Sequence, residues 1–270
     1  MRPLALDVAA FVLPVLVAVG LLLVGRTFLR WPRVVRGAAV VLSLAVIAIA
    51  LLSLARVLPL QVEQAAFHLG GLTTLLCLVA TFLLGVVWGV PHRSLTTPFL
   101  FALALIAVVV VGIESSGRLW WRFGSPGAWS RTVDEFGLLR QSSAVTCSPA
   151  AAVMLLHQHG VAAGEGEMAY LSGTTVLGTD ATGIARALEA KAAPHGLRAE
   201  VSQTTYDECL SREEPFLAHV AGRYLGHAVA VIGMSQYAVI VLDPAEGQPR
   251  TMTRDEFESQ WDRVAVRLVK

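Results

Sequence analysis

Charge is scarce in this chain, and acidic charge is nearly missing from its first 113 residues, where Asp7 and Glu63 stand alone among the 20 acidic residues of the whole. Only 15% of the 270 residues are charged and 55% are hydrophobic, whereas an ordinary soluble domain carries about 25% charge. The composition argues against a wholly water-soluble protein. Two phosphate-binding signatures are also missing, Gly-x-x-x-x-Gly-Lys-Ser/Thr and Gly-x-Gly-x-x-Gly, so nucleotide chemistry has no support and no nucleotide partner is expected. The residues after 113 carry 14 basic and 18 acidic side chains. That excess of acid, without a basic stripe, speaks against nucleic acid as a partner. Cysteine is sparse, with Cys77, Cys147 and Cys209 only, which excludes a disulfide scaffold. Histidines at the i, i+4 spacing that suits zinc are missing too: His157 and His159 lie two apart on an expected helix and point in different directions. No metal and no cofactor is expected.

What the first part does contain is four runs free of Lys, Arg, Asp and Glu: Val8–Val24, Gly37–Ala55, Ala65–Val90 and Pro98–Ile113. Each approaches the length of a bilayer crossing, so residues 1–113 are expected to form a region of four transmembrane helices with the lipid bilayer as partner. The first loop holds Arg26, Arg30, Arg33 and Arg36, the second only Arg56 and Glu63, the third His92 and Arg93. Positive residues favour the cytoplasmic side. The first and third loops are therefore expected inside, and the N-terminus and everything after Ile113 on the outer face of a cytoplasmic (inner) membrane. No small-residue cleavage pattern follows the first run, so it is expected to be retained rather than removed as a signal peptide. A transporter reading finds one ionisable group within a span, His68, and that residue stands near the span's start, where an interfacial place suits it.

Residues 114–131 interleave Trp120, Trp121, Phe123 and Trp129 with Arg118, Arg122, Gly124, Pro126 and Gly127, the composition of an interfacial linker. From 132 to 270 the pattern is mixed. Pro149–His159 and Thr182–Ala193 read as helices, with shorter ones at Glu165–Leu171 and Thr253–Trp261. Leu197–Gln203, Phe216–Ala221, Ala228–Met234, Tyr237–Leu242 and Val264–Val269 read as strands, being short and β-rich between turn residues. Helices followed by an antiparallel sheet make an α+β domain.

Cys147 stands just before an apolar helix-forming run, Ala150-Ala151-Ala152-Val153-Met154-Leu155-Leu156. Backbone N–H groups at a helix start stabilise a thiolate, the nucleophilic form of cysteine. Such a thiol needs a base. His157 and His159 are ten and twelve residues further along the same helix, about 15 Å or more away. His195 falls in a Pro-His-Gly turn, and His219 lies within a strand as either a core or a facing residue. His227 begins a strand, and the next strand, running back, ends at Asp243, so a carboxylate returns beside the imidazole. A third group of this kind fixes the tautomer of a catalytic histidine. Gln141, six residues before the cysteine, supplies an amide able to join the Cys147 N–H in stabilising a substrate oxyanion.

Gln141-x5-Cys147-x-Pro149-Ala150, Pro215-Phe216-Leu217-Ala218-His219-Val220, Gly226-His227 with its apolar strand, and Leu242-Asp243-Pro244 with Gly247 together resemble the bacteriocin-processing, double-glycine-type cysteine peptidases. The resemblance spans about 110 residues in the family's order. It implies a papain-like fold, a peptide or protein substrate, Cys147 as nucleophile, His227 as general base, Asp243 as its orienting partner and Gln141 as oxyanion donor. Family substrates are leader peptides ending in small residues such as a glycine pair. Two positions depart from the pattern. Ser148 replaces the usual glycine after the cysteine and is expected to crowd the oxyanion pocket; Ala228 replaces the usual aromatic residue after the histidine. The ATPase module of transporter-linked members has no counterpart here. The chain is thus expected to be a membrane-anchored thiol endopeptidase, the alternative being an inactive papain-like domain that binds a peptide or protein partner.

Overall fold

Apolar side chains dominate the N-terminal residues, and most of those described lie in helices. The structure is a computed structural model that describes residues 3–54, 72–89, 97–124, 126–129, 131–176, 178–221 and 226–270. The chain divides into two compact units, Met1–Leu119 and Trp120–Lys270.

In the first unit, helices α1 (Leu4–Arg26), α2 (Arg33–Leu54), α3 (Leu72–Gly89) and α4 (Thr97–Ser115) follow one another. α1 carries Asp7 near its start and Arg26 in its last turn, the arrangement that suits the helix dipole. Its contact with α3 is built on glycine. A Cβ at Gly25 would lie 2.3 Å from the Phe82 carbonyl oxygen, and one at Gly85 would lie 2.2 Å from that of Leu22. The two backbones approach closely because neither residue has a side chain, the mode of contact common where lipid offers no hydrophobic drive between helices. Phe28 caps this contact, meeting Phe82 edge-on with ring centroids 5.8 Å apart.

Among the described residues, one helix, α1, is long and apolar enough to cross a membrane. The sequence reading expects four such crossings, and the described residues supply one. The apolar core described within α3 is the shorter Leu75–Val87, and the second and third expected crossings run on into residues outside those described, 55–71 and 90–96. Arg56, Glu63, His68, His92 and Arg93, which enter the expected orientation, lie outside the described residues.

The second unit is the α+β domain. Strands β1 (Arg198–Gln203), β2 (Phe216–Ala221), β3 (Gly226–Met234), β4 (Ala238–Asp243), β5 (Gln248–Thr253) and β6 (Trp261–Val269) form one antiparallel sheet in the order β1-β6-β2-β3-β4-β5. Alternation along the strands divides the core between its faces. Leu217, Ala228, Ala230, Leu242 and Val266 pack with helices α5 (Cys147–Gln158) and α7 (Ala181–Ala192). Phe216, Ala218, Val229, Val231, Val241 and Met252 pack on the other face with Tyr206 of α8 (Tyr206–Arg212) and Phe257 of α9 (Arg254–Gln260). Helix α6 (Glu165–Ser172) packs beside α5 and α7.

The expected linker, residues 114–131, is divided by the structure. Its second part belongs to the peptidase-like unit. Trp121 is buried, its indole N–H donating to Thr174 O at 3.0 Å, and Trp129 donates to Trp121 O at 2.7 Å while its ring lies against Tyr170. Trp120 and Phe123 are exposed.

Candidate active site

Three elements carry the side chains that meet. α5 begins at Cys147, so the N–H groups of Cys147 and Ser148 belong to a first turn that has no intrahelical acceptors. Thr146, the residue before, makes no side-chain cap to the helix; its hydroxyl instead donates to Ser143 O at 3.0 Å. The helix start is thereby left open towards the sulfur.

β3 and β4 bring in the other two. Ala230 pairs with Leu242 across these antiparallel strands, so Asp243 falls one step nearer the end of β3 at which His227 stands. His227 Nε2 and Asp243 Oδ1 are 2.7 Å apart, with both side chains largely shielded from water. Asp243 Oδ1 also accepts the Ala245 N–H at 2.8 Å, which holds the carboxylate in place. With Nε2 on Asp243, Nδ1 is the ring nitrogen left for Cys147, which lines the same cleft as the imidazole.

The electrostatics follow from this arrangement. Burial is the largest single influence on the Cys147 thiol and on its own raises its pKa. The hydrogen bond and charge of His227, with the N–H groups of Ala228 and Ser148, outweigh it, and the thiol lies below its ordinary value. Burial likewise works to lower His227, but its hydrogen bond to Asp243 and its interaction with Cys147 prevail and carry the imidazole up to about 9. Asp243, which burial alone would raise, is held below the ordinary carboxylate range by His227 and the N–H groups of Ala245 and Glu246. The pair favours thiolate and imidazolium, the state in which a cysteine attacks a carbonyl.

Gln141 lies on the loop leading to Cys147. Its backbone N–H donates to Pro244 O at 2.8 Å, tying the loop to the turn after Asp243. Its side-chain amide donates to Ser143 O at 2.7 Å, while its carbonyl oxygen is buried without a hydrogen-bond partner among the described residues. The structure therefore brings Cys147, His227 and Asp243 into one chain of contacts, with the Gln141 amide engaged in its own loop.

Ser148 differs from expectation. Its side chain is buried, its hydroxyl faces Thr179 O and His219 Nε2 at 3.5 Å each, and it takes no part in lining the cleft over the thiol. Being the second residue of α5, it projects from the helix in a different direction from Cys147. Cys209 is a free thiol, as is Cys147; it is buried, with Arg267 Nη2 at 2.7 Å from its sulfur.

The cleft has a volume of about 740 Å³. The small residues Ala144, Ala221, Gly226 and Ala245 line it with the thiol and imidazole, as do the apolar Val220, Val229, Val241 and Met252 and the acidic Glu246. Arg250 and Gln260 also line it, and sequence reasoning singles out neither. Both stand where β5 and α9 meet the cleft, and the one sequence signal for their place is a run of alternating residues, Gln248–Thr253, interrupted by Pro249.

An uncharacterized protein of Methanothermobacter marburgensis is 33% identical to this chain over 121 residues, 44% of this chain and 79% of that protein. Among solved structures, the chain is similar to the peptidase domain of Streptococcus ComA, a bi-functional ABC transporter involved in a quorum-sensing pathway, at 26% identity over 49% of this chain and 96% of that one, with a TM-score of 0.43. A double glycine motif protease from an AMS/PCAT transporter, in complex with the leader peptide, matches at 20% identity over 48% of this chain and 89% of that one, with a TM-score of 0.42. Residues 135–270, just over half of the chain, match the model of the Peptidase C39 family, and the chain belongs to that family of papain-like cysteine peptidases.

Proposed function

We propose that this protein is a thiol endopeptidase whose nucleophile is Cys147, carried next to a membrane by the apolar helices that precede it. The observation that carries the reading is the contact series Cys147, His227, Asp243, together with the opposite displacements of the thiol and imidazole pKa values. In the acylation step the Cys147 thiolate attacks a peptide carbonyl carbon. The C–N bond breaks as the His227 imidazolium gives its proton to the departing amine, leaving a thioester on Cys147. His227, now neutral, takes a proton from water, which attacks the thioester and releases the acid and the thiolate. Asp243 keeps Nδ1 of His227 directed at the sulfur. The oxyanion is met by the Cys147 N–H and by the second N–H of the Gln141 amide, the first being used on Ser143 O. The small residues that line the cleft with the thiol suit a substrate with small side chains at the bond cleaved, as a glycine pair supplies. The leader peptide bound by the similar double glycine motif protease supports this substrate class. The charge distribution of the first unit supports four crossings, with the peptidase unit on the outer face of the cytoplasmic membrane.

The test is site-resolved labelling. A thiol-directed electrophile such as iodoacetamide is expected to modify Cys147 ahead of Cys209, and Cys147→Ala to lose both that label and all cleavage of a Gly-Gly coumarin amide peptide while melting at an unchanged temperature. Cleavage surviving in Cys147→Ala would refute the proposal. A Cys147 that reacts no faster than a free thiol would favour a domain that only binds peptides.

A further inference from the structure

The loop before the nucleophile is also held by a group that plays no part in the chemistry above. Glu165, the first residue of α6, is 0% exposed. Its Oε1 accepts the Ser142 N–H at 2.7 Å and the Ser142 hydroxyl at 3.0 Å, and its Oε2 accepts Arg131 Nε at 2.9 Å. Arg131 also donates through Nη2 to Arg140 O, and its own carbonyl accepts the Glu165 N–H at 2.9 Å. One carboxylate and one guanidinium thus grip the backbone at Arg140 and Ser142, the residues on either side of Gln141.

Burying a carboxylate is costly unless it is paired and hydrogen-bonded. Here it is both, and all of its bonds go to the loop or to the arginine that also holds the loop. Arg131 is brought to this place by the aromatic segment before it. Trp129 donates to Trp121 O, and its own backbone lies so close to the start of α6 that a Cβ at Gly164 would be 2.3 Å from Trp129 O. Arg131 precedes residue 135, where the match to the family model begins.

We propose that Arg131 and Glu165 are positioning residues for the oxyanion side of the site, so that the working peptidase includes the Trp121–Arg131 segment upstream of the family-matched region. This rests on the peptidase reading above. Arg131 fixes Glu165, Glu165 fixes Ser142, and the Ser142 backbone sets where Gln141 can place its amide. The thiolate and imidazolium stand on α5 and β3, and none of the bracket's hydrogen bonds goes to Cys147 or His227.

That separation supplies the test. Alkylation of Cys147 by iodoacetamide is a displacement at carbon that develops no oxyanion, whereas hydrolysis of a Gly-Gly coumarin amide does. In the full-length chain, Arg131→Ala is expected to lower kcat about 10- to 100-fold, at or below the effect of removing an oxyanion donor, with KM and the alkylation rate of Cys147 unchanged. Arg131→Lys should recover part of kcat, and hydrogen exchange at the Ser142 amide should quicken in Arg131→Ala. Ser142→Ala, which deletes one bond to Glu165 and keeps the backbone, serves as the milder variant with a smaller fall in kcat. The proposal is overturned by a kcat equal to wild type in both variants, or by kcat and alkylation falling together, as loss of folded protein would make them. A wild type with an unreactive Cys147 and no cleavage sinks the peptidase reading itself, and this proposal with it.

Discussion

At the scale of single residues, the proposed site rests on opposed shifts on two neighbouring groups, and their signs predict the pH range of the proposed cleavage. His227 titrates at about 9, above its ordinary 6.5, so its proton is held until the pH rises through about 9. The Cys147 thiol lies below its ordinary 9.0, so the thiolate persists as pH falls below the range in which a free cysteine would be protonated. Cleavage needs both forms at once. We therefore expect a bell-shaped profile of kcat/KM, with an alkaline limb near 9 from loss of the imidazolium proton and an acid limb from protonation of the thiolate. Asp243→Asn removes the hydrogen bond and charge that raise His227. The alkaline limb should move to lower pH, the acid limb to higher pH as the weaker imidazolium stabilises the thiolate less, and the maximum should fall by about 100-fold, within the range of general acid–base catalysis. A profile in Asp243→Asn that is lower but not narrower would show that Asp243 acts on folding alone. His227 and Asp243 are legible as partners in the sequence because one antiparallel turn between β-rich runs dictates that their strand ends coincide. The Ser148 side chain is not, since which way it points depends on α5 packing over His219 and Thr179, residues distant in sequence.

At the scale of elements, the strands of the sheet are readable from alternation and β-branched content, and their ends differ from expectation by a few residues at most. Two elements escape that reading for identifiable reasons. β5 contains Pro249 and few apolar residues because it is an edge strand, where a missing N–H costs nothing if it faces outward. α8 is short and polar, but Thr205 and Glu208 form a capping box at its start, a signal present in the sequence as Thr-x-x-Glu. The linker is the opposite case: aromatic content suggests an interface, yet Trp121 and Trp129 are spent inside the peptidase unit. The α1–α3 contact is likewise invisible to composition, because glycine in an apolar helix carries no partner information. It yields a sharp expectation. Gly25→Ala or Gly85→Ala would place a Cβ 2.3 or 2.2 Å from a facing carbonyl oxygen, forcing the helices apart at about 1–3 kcal/mol. Gly20→Ala and Gly37→Ala, where a Cβ would meet nothing within 4 Å, are controls. Thermal unfolding in detergent should fall for the first pair and stay level for the second; equal melting in all four would mean that α1 and α3 do not rely on this approach.

At the scale of the whole molecule, composition alone divides the chain into a basic, apolar first part and an acidic, mixed second part. That division decides where the chemistry is expected to happen. A net charge of +5 over the first 113 residues comes largely from the arginines of the first loop, and such residues resist transfer across the bilayer. If that loop stays inside and the chain crosses four times in all, three of them after the loop, the cleft faces outward, and its substrate must be one that is exported or already outside. A single crossing by α1, or three, leaves a different answer for each end of the chain, so orientation is itself a measure of how many helices cross. Two cysteine substitutions read it directly. Tyr237 stands 80% exposed, between β3 and β4, and Arg30 lies in the first loop. In intact cells making the full chain, a membrane-impermeant maleimide is expected to label Tyr237→Cys at once, and Arg30→Cys only after the membrane is opened. Labelling of both before opening would place the first loop outside, and labelling of neither would put the peptidase unit in the cytoplasm, where the peptides it meets are newly made rather than exported.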